Sequence, residues 1–180
     1  MKSKLLALSV LAALPLCAFA SDGDITFNGK VVAAACTLKG IDGGTQTTGA
    51  IVALPDVTPS SFSSAGGYAG MTDFIIGLKN CDNSVVKNAR VSFSGTPDPD
   101  DITILQNTAS APATGVGVAI LENDGTTLAG INGQDPAQKQ ALSVGDTDLK
   151  FKVAYKTDTT TPAVTAGNVS AKSYIDISYE

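Results

Sequence analysis

Ile25-Thr26-Phe27-Asn28-Gly29-Lys30-Val31-Val32, running on through Ala33-Ala34-Ala35 to Cys36, is the stretch whose reading decides the fold. Ile25, Phe27, Gly29 and Val31 alternate with Thr26, Asn28 and Lys30, so one face is apolar and the other polar. That is the period of a half-buried β-strand; a helix would place apolar residues three and four apart. On alternation alone the segment reads as the first strand of the protein's own sheet as readily as an extended arm that pairs elsewhere. Its surroundings narrow the choice.

Upstream, the first twenty residues read as an export signal. Lys2 and Lys4 precede an apolar run from Leu5 to Leu16, and Ala18-Phe19-Ala20 supplies the small-x-small pattern for cleavage before Ser21. The run is short for a membrane span. Bulky Leu16 stands where a lipoprotein signal carries a small residue, which argues against Cys17 as a lipid anchor. About 160 residues remain, enough for one domain with a real core. Of the three cysteines, Cys17 leaves with the signal, and an even pair in an exported chain predicts a Cys36–Cys81 disulfide. It would close a loop of about 46 residues, which the chain-entropy model counts as about 4 kcal/mol.

Downstream, alternation recurs between turn-forming clusters. Phe74 to Leu78 reads as a buried strand leading into Cys81, followed by Ala89 to Phe93, Ile102-Thr103-Ile104, and Val116 to Ile120 closed by an Asn123-Asp124-Gly125 turn. Leu149, Phe151, Val153 and Tyr155 form a strand whose other face carries Lys150, Lys152 and Lys156. Tyr174-Ile175-Asp176-Ile177-Ser178-Tyr179-Glu180 forms the last. Loops rich in Gly, Ser, Thr and Pro fall at 40–49, 58–70 and 157–168. Seven or more short strands at this spacing predict an all-β antiparallel sandwich.

Catalysis finds little to stand on. The chain has no histidine, the commonest general base and metal ligand. No nucleophile elbow, phosphate-binding loop or dinucleotide fingerprint occurs, and Gly115-Val116-Gly117 reads as close packing in a strand. Asp98-Pro99-Asp100-Asp101 reads as a Pro-containing turn, with a calcium site as the alternative. With 17 acidic against 12 basic residues, the chain argues against nucleic acid or an anionic membrane as partner. The lack of Trp removes the commonest sugar-stacking platform. No cofactor, metal site or catalytic residue is predicted.

Taken in order, several segments carry a family resemblance. The strand Ile25 to Val32 leads into Ala34-Ala35-Cys36, and Phe74 to Leu78 leads into Asn80-Cys81-Asp82. Val91-Ser92-Phe93-Ser94-Gly95 follows, then Gly115-Val116-Gly117-Val118-Ala119-Ile120-Leu121 before Asp124-Gly125, with Tyr179 penultimate. The chain resembles the structural pilins of the chaperone–usher family, in particular type 1 fimbrial major subunits.

That resemblance implies an incomplete immunoglobulin-like β-sandwich lacking its final strand, completed by donor-strand exchange. Residues 1–20 would be the cleaved signal, 21–32 a donor extension and 33–180 the pilin domain. Ile25, Phe27, Gly29 and Val31 would face into a neighbour's groove; burying Ile, Phe and Val offers about 5–9 kcal/mol before association costs. Tyr174, Ile175, Ile177 and Tyr179 of the C-terminal strand would line the acceptor groove. The implied partners are identical or related pilins, a periplasmic chaperone and an outer-membrane usher, and the implied destination is an adhesive cell-surface pilus reached through the periplasm. The alternatives are a minor adaptor or tip subunit of the same system, and a secreted carbohydrate-binding domain that folds alone.

Overall fold

The Cys36–Cys81 pair forms as expected, with the two Cα atoms 4.1 Å apart, and it anchors the start of the first strand to the end of the second. The computed structural model describes residues 35–42, 44, 50–157 and 164–180. The predicted signal peptide and the extension with Ile25, Phe27, Gly29 and Val31 lie outside the described residues. The described residues form seven strands: β1 (Thr37–Ile41), β2 (Tyr68–Cys81), β3 (Asn88–Gly95), β4 (Val116–Glu122), β5 (Gln140–Ala141), β6 (Gly145–Thr157) and β7 (Ser173–Tyr179). They make two sheets, β1-β2-β6-β4 and β5-β3-β7, with every neighbouring pair antiparallel. The helical content of the described residues is one 3-10 turn, Pro59–Ser61.

Period-two patterning decides which residues meet between the sheets. Phe74, Ile76 and Leu78 of β2 and Leu149, Phe151 and Val153 of β6 are buried, and they face Ala89, Val91 and Phe93 of β3. At the centre Phe151 stacks on Phe74 (ring centroids 5.8 Å apart) and meets Phe93 edge-on at 5.2 Å. Offset and edge-to-face pairs of this kind add about 0.5–1.5 kcal/mol each beyond the area they bury.

β4 is covered on both faces. Its second face holds a small separate cluster of Ile104, Ala119, Leu121 and Ala154, roofed by the loop that follows β3. Leu105 and Val118 exchange backbone hydrogen bonds at 2.8 and 2.9 Å, which brings that loop down onto β4. A Cβ at Gly117 would lie 2.7 Å from the Leu105 carbonyl oxygen and 2.8 Å from Ile104 Cδ1, so close packing explains this glycine.

This roof corrects one expectation. Ile102-Thr103-Ile104 alternates like a strand but forms turns. The Asp98 carboxylate accepts the amides of Asp100 and Asp101, and Asp101 accepts the Thr103 amide and hydroxyl. These local side-chain acceptors outbid a strand ladder. Asp101 also pairs with Lys156, both largely buried. Burial opposes ionisation of Asp101, but Lys156 and Thr103 together hold its carboxyl below the usual range. The acidic run is thus a turn. β1 reaching Ile41 and β2 starting at Tyr68 likewise extend into stretches expected to be loop.

The turn after β4 forms as read, with Gly125 at φ 72° and its amide on the Glu122 carbonyl at 2.9 Å. The Thr127 hydroxyl, then the Thr127 and Thr126 amides, hold the Asp124 carboxyl down to about 2. A depressed folded value contributes stability above the unfolded pKa and loses it as pH falls through the folded one. The stability gap between the parent chain and Asp124→Ala should therefore be constant above about pH 4 and close as the pH approaches 2, read by denaturant titration at a series of pH values. In the core, Phe151→Ala should cost about 3–5 kcal/mol. Ile75→Ala, on the outer face of β2, should cost less than about 1.5 kcal/mol; equal losses would mean that the two faces have been exchanged.

Candidate functional site

β7 pairs with β3 on one side only, and β1 pairs with β2 on one side only. Among the described residues no strand occupies the other edge of either. The two open edges flank a groove of about 880 Å³ that reaches down to the sandwich core. Its floor is Phe74, Phe93, Leu105, Val118, Ile120 and Val153, all buried residues of the core. Leu38 and Ile41 stand on one side, Val169, Ala171 and Ile175 on the other.

Alternation along β7 sorts the four residues expected to line this groove. Ile175, Ile177 and Tyr179 are half-buried and pack on the core. Tyr174 falls on the opposite face, 60% exposed, and touches the groove at its rim, where the Lys172 ammonium sits 4.8 Å above its ring. The structure therefore brings three of the four to one face.

One end of the slot is closed. The Tyr179 hydroxyl donates to the Cys36 carbonyl at 3.4 Å, bridging the two edges, and burial raises its pKa, which keeps the donor proton in place. Asp82 adds a 2.8 Å amide bond to the Ala35 carbonyl. Glu180 continues the β7–β3 pairing, giving its amide to Asn88 and accepting from Lys87 and Asn88. Its carboxylate lies 2.8 Å from Lys139 and 3.4 Å from Arg90, and the Lys139 bond holds it below the usual range. The other end is open, and Ile51 there is 92% exposed.

Sequence reasoning missed the segment 50–57. Val52, Leu54 and Val57 are half-buried and alternate with exposed neighbours, so the segment is patterned as a strand. Yet none of its backbone groups bonds to another described backbone group. It runs along the groove on the β1 side and separates it from a second cavity of about 500 Å³. The alternation of Ile51, Val52, Ala53 and Leu54 was visible but weak, because all four are apolar.

An apolar floor between two rows of unpaired edges is suited to one kind of occupant. An extended chain would gain main-chain hydrogen bonds at its edges and bury alternate side chains. The lining offers no acid and no histidine for chemistry on a substrate.

Comparison with known proteins agrees with this geometry. Residues 25–180 match the family model described as fimbrial protein. The laminin-binding fimbrial subunit ElfA of Escherichia coli O157:H7 is 41% identical, over 88% of this chain and 84% of its own. The fimbrial subunit type 1 of Klebsiella pneumoniae is 35% identical over the whole of both chains. Among solved structures, a subunit from a chaperone–usher pilus superposes with a TM-score of 0.63 at 21% identity, covering 94% of this chain and all of that one. The fold is the incomplete immunoglobulin-like sandwich of such subunits.

The disulfide sits where the closed end of the slot is tied together. Replacing Cys36 and Cys81 by Ser should lower stability by about 4 kcal/mol on the chain-entropy estimate, measured by denaturant titration against the parent chain. A loss under about 1 kcal/mol would show that the tie does not constrain the unfolded chain as that model supposes.

Proposed function

We propose a function that proceeds from one premise: the chain belongs to the fimbrial protein family, and is a non-enzymatic structural subunit of a cell-surface pilus. On this reading it is the rod-forming subunit, and it polymerises head-to-tail by giving its N-terminal strand to the groove of the next copy. The observation that carries the proposal is the apolar-floored groove between the edge strands β1 and β7. Two unpaired strand edges beside an apolar groove are a template for an added strand.

The donor is residues 25–31, with Ile25, Phe27, Gly29 and Val31 turned into the groove. Seven extended residues span about 23 Å, the same length as the seven-residue β7 they would lie along. Gly29 fits a place where the floor rises. β1 supplies the second edge, with the segment 50–57 running alongside it. A donor at one end and an acceptor elsewhere make a heterologous contact that does not close, and so a filament. An open edge of this kind is an aggregation hazard before assembly. A periplasmic chaperone would mask it and an outer-membrane usher would release it, which fits an exported precursor. The match to the Klebsiella type 1 subunit over both whole chains supports the rod role, and the name of the laminin-binding relative supports an adhesive pilus.

Removing residues 21–29 should give a subunit that accepts a strand but cannot donate one, so long filaments should be absent when it is the sole subunit. A peptide of residues 21–33 should raise the melting temperature of that truncated subunit by about 10–20 °C, taking about 5 kcal/mol of net binding. The same peptide carrying Phe27→Asp should not. A truncated chain that is already as stable as the peptide-bound form would instead indicate a domain that folds alone.

A further inference from the structure

The outward face of the four-stranded sheet carries charges in an order that is its own complement. On β6 the exposed series is Asp146, Asp148, Lys150, Lys152, negative at one end and positive at the other. On β2 the same face carries Asp73, Ile75, Gly77, Lys79, acidic at one end, basic at the other and uncharged between. The register sets Asp73 beside Lys152, Ile75 beside Lys150 and Gly77 beside Asp148.

A two-fold axis lying in this face, perpendicular to the strands and crossing between the two middle rows, lays β6 antiparallel on the β6 of a second copy and β2 on its β2. Every pairing it creates is favourable. Asp146 meets Lys152, Asp148 meets Lys150, and Asp73 meets Lys79. Ile75, 37% exposed, meets the Lys39 stem, which lies 3.6 Å from where a Cβ of the buried Gly77 would stand. Within the chain Lys39 pairs with Asp146 at 3.0 Å and Lys152 with Asp73. Asp148 and Lys150, the pair nearest the axis, have no ion-pair partner among the described residues.

We propose that this face is an isologous contact between two copies of the chain, and that in the assembled state it joins two pili running in opposite directions. A head-to-tail filament is polar, and its internal contacts are heterologous. A contact that reverses the strand direction cannot repeat within one such filament, so its partner belongs to another. This rests on the reading that the chain forms a polar filament.

The test uses whole pili built from Lys150→Asp or Asp148→Lys subunits, imaged by electron microscopy and sedimented at about 0.1 M salt, where charges are felt over about 10 Å. Parent pili should pair side by side. Each single variant should reduce the sedimenting, paired fraction roughly tenfold, because like charges then meet at the axis. A one-to-one mixture of the two variant pili should pair with each other, and the double variant Asp148→Lys/Lys150→Asp should pair with itself. The two single variants change net charge in opposite senses, so opposite effects on pairing would show that bulk charge governs and would overturn the proposal. So would parent pili that remain separate, or single variants that pair undiminished. Absence of filaments from the parent chain would instead remove the filament reading, and this inference with it.

Discussion

One-sided pairing of β7 is the constraint on which the rest of the molecule depends. A sandwich buries its core by closing both sheets over it, yet here β7 and β1 each end a sheet and leave Phe74, Phe93 and Val153 beneath an open slot. Everything that holds β7 in place is therefore concentrated on its β3 side and at its end. The ladder from Gly95–Ser173 to Ala89–Tyr179, the Glu180 amide and carbonyl, and the Lys139 and Arg90 cations all act there. Among the described residues no strand pairs with the opposite edge.

Much of this was legible in the residues, for physical reasons that differ by element. β6 announced itself because Leu149, Phe151 and Val153 alternate strictly with Asp148, Lys150 and Lys152, and no local acceptor competes with the ladder. The cysteine pair was legible because the predicted signal takes away Cys17 and leaves two cysteines with one pairing. Ile102 to Ile104 misled, since alternation over three residues is outweighed by the Asp98 and Asp101 side chains bonding to the backbone beside them. Segment 50–57 escaped because its edge has no backbone partner among the described residues, so strand patterning there produces no strand.

The groove was legible only in part. The inward face of β7 follows from period two, which places Ile175, Ile177 and Tyr179 together and turns Tyr174 away. The floor does not follow from local pattern at all. Leu105, Val118 and Ile120 come from a loop and a strand far from β7 in sequence, and only tertiary packing brings them beneath the slot. The family resemblance supplied the destination of the N-terminal arm; no property of residues 25–31 taken alone does so.

A filament is pulled as well as built, and the disulfide decides how tension would travel through it. Load arriving along a donated N-terminal arm reaches Cys36 before any residue of β1. There it divides, one branch crossing the sulfur bridge to Cys81 at the end of β2, the longest strand of the molecule. β2 pairs with β1 only from Ile76 to Lys79 but with β6 from Tyr68 to Cys81, so load that crosses the bridge passes in shear into the long β2–β6 ladder. Without the bridge the same pull would peel the five-residue β1 from its single neighbour one pair at a time. The covalent tie would thus turn a weak unzipping geometry into a strong one, at the point where a donated arm enters the fold.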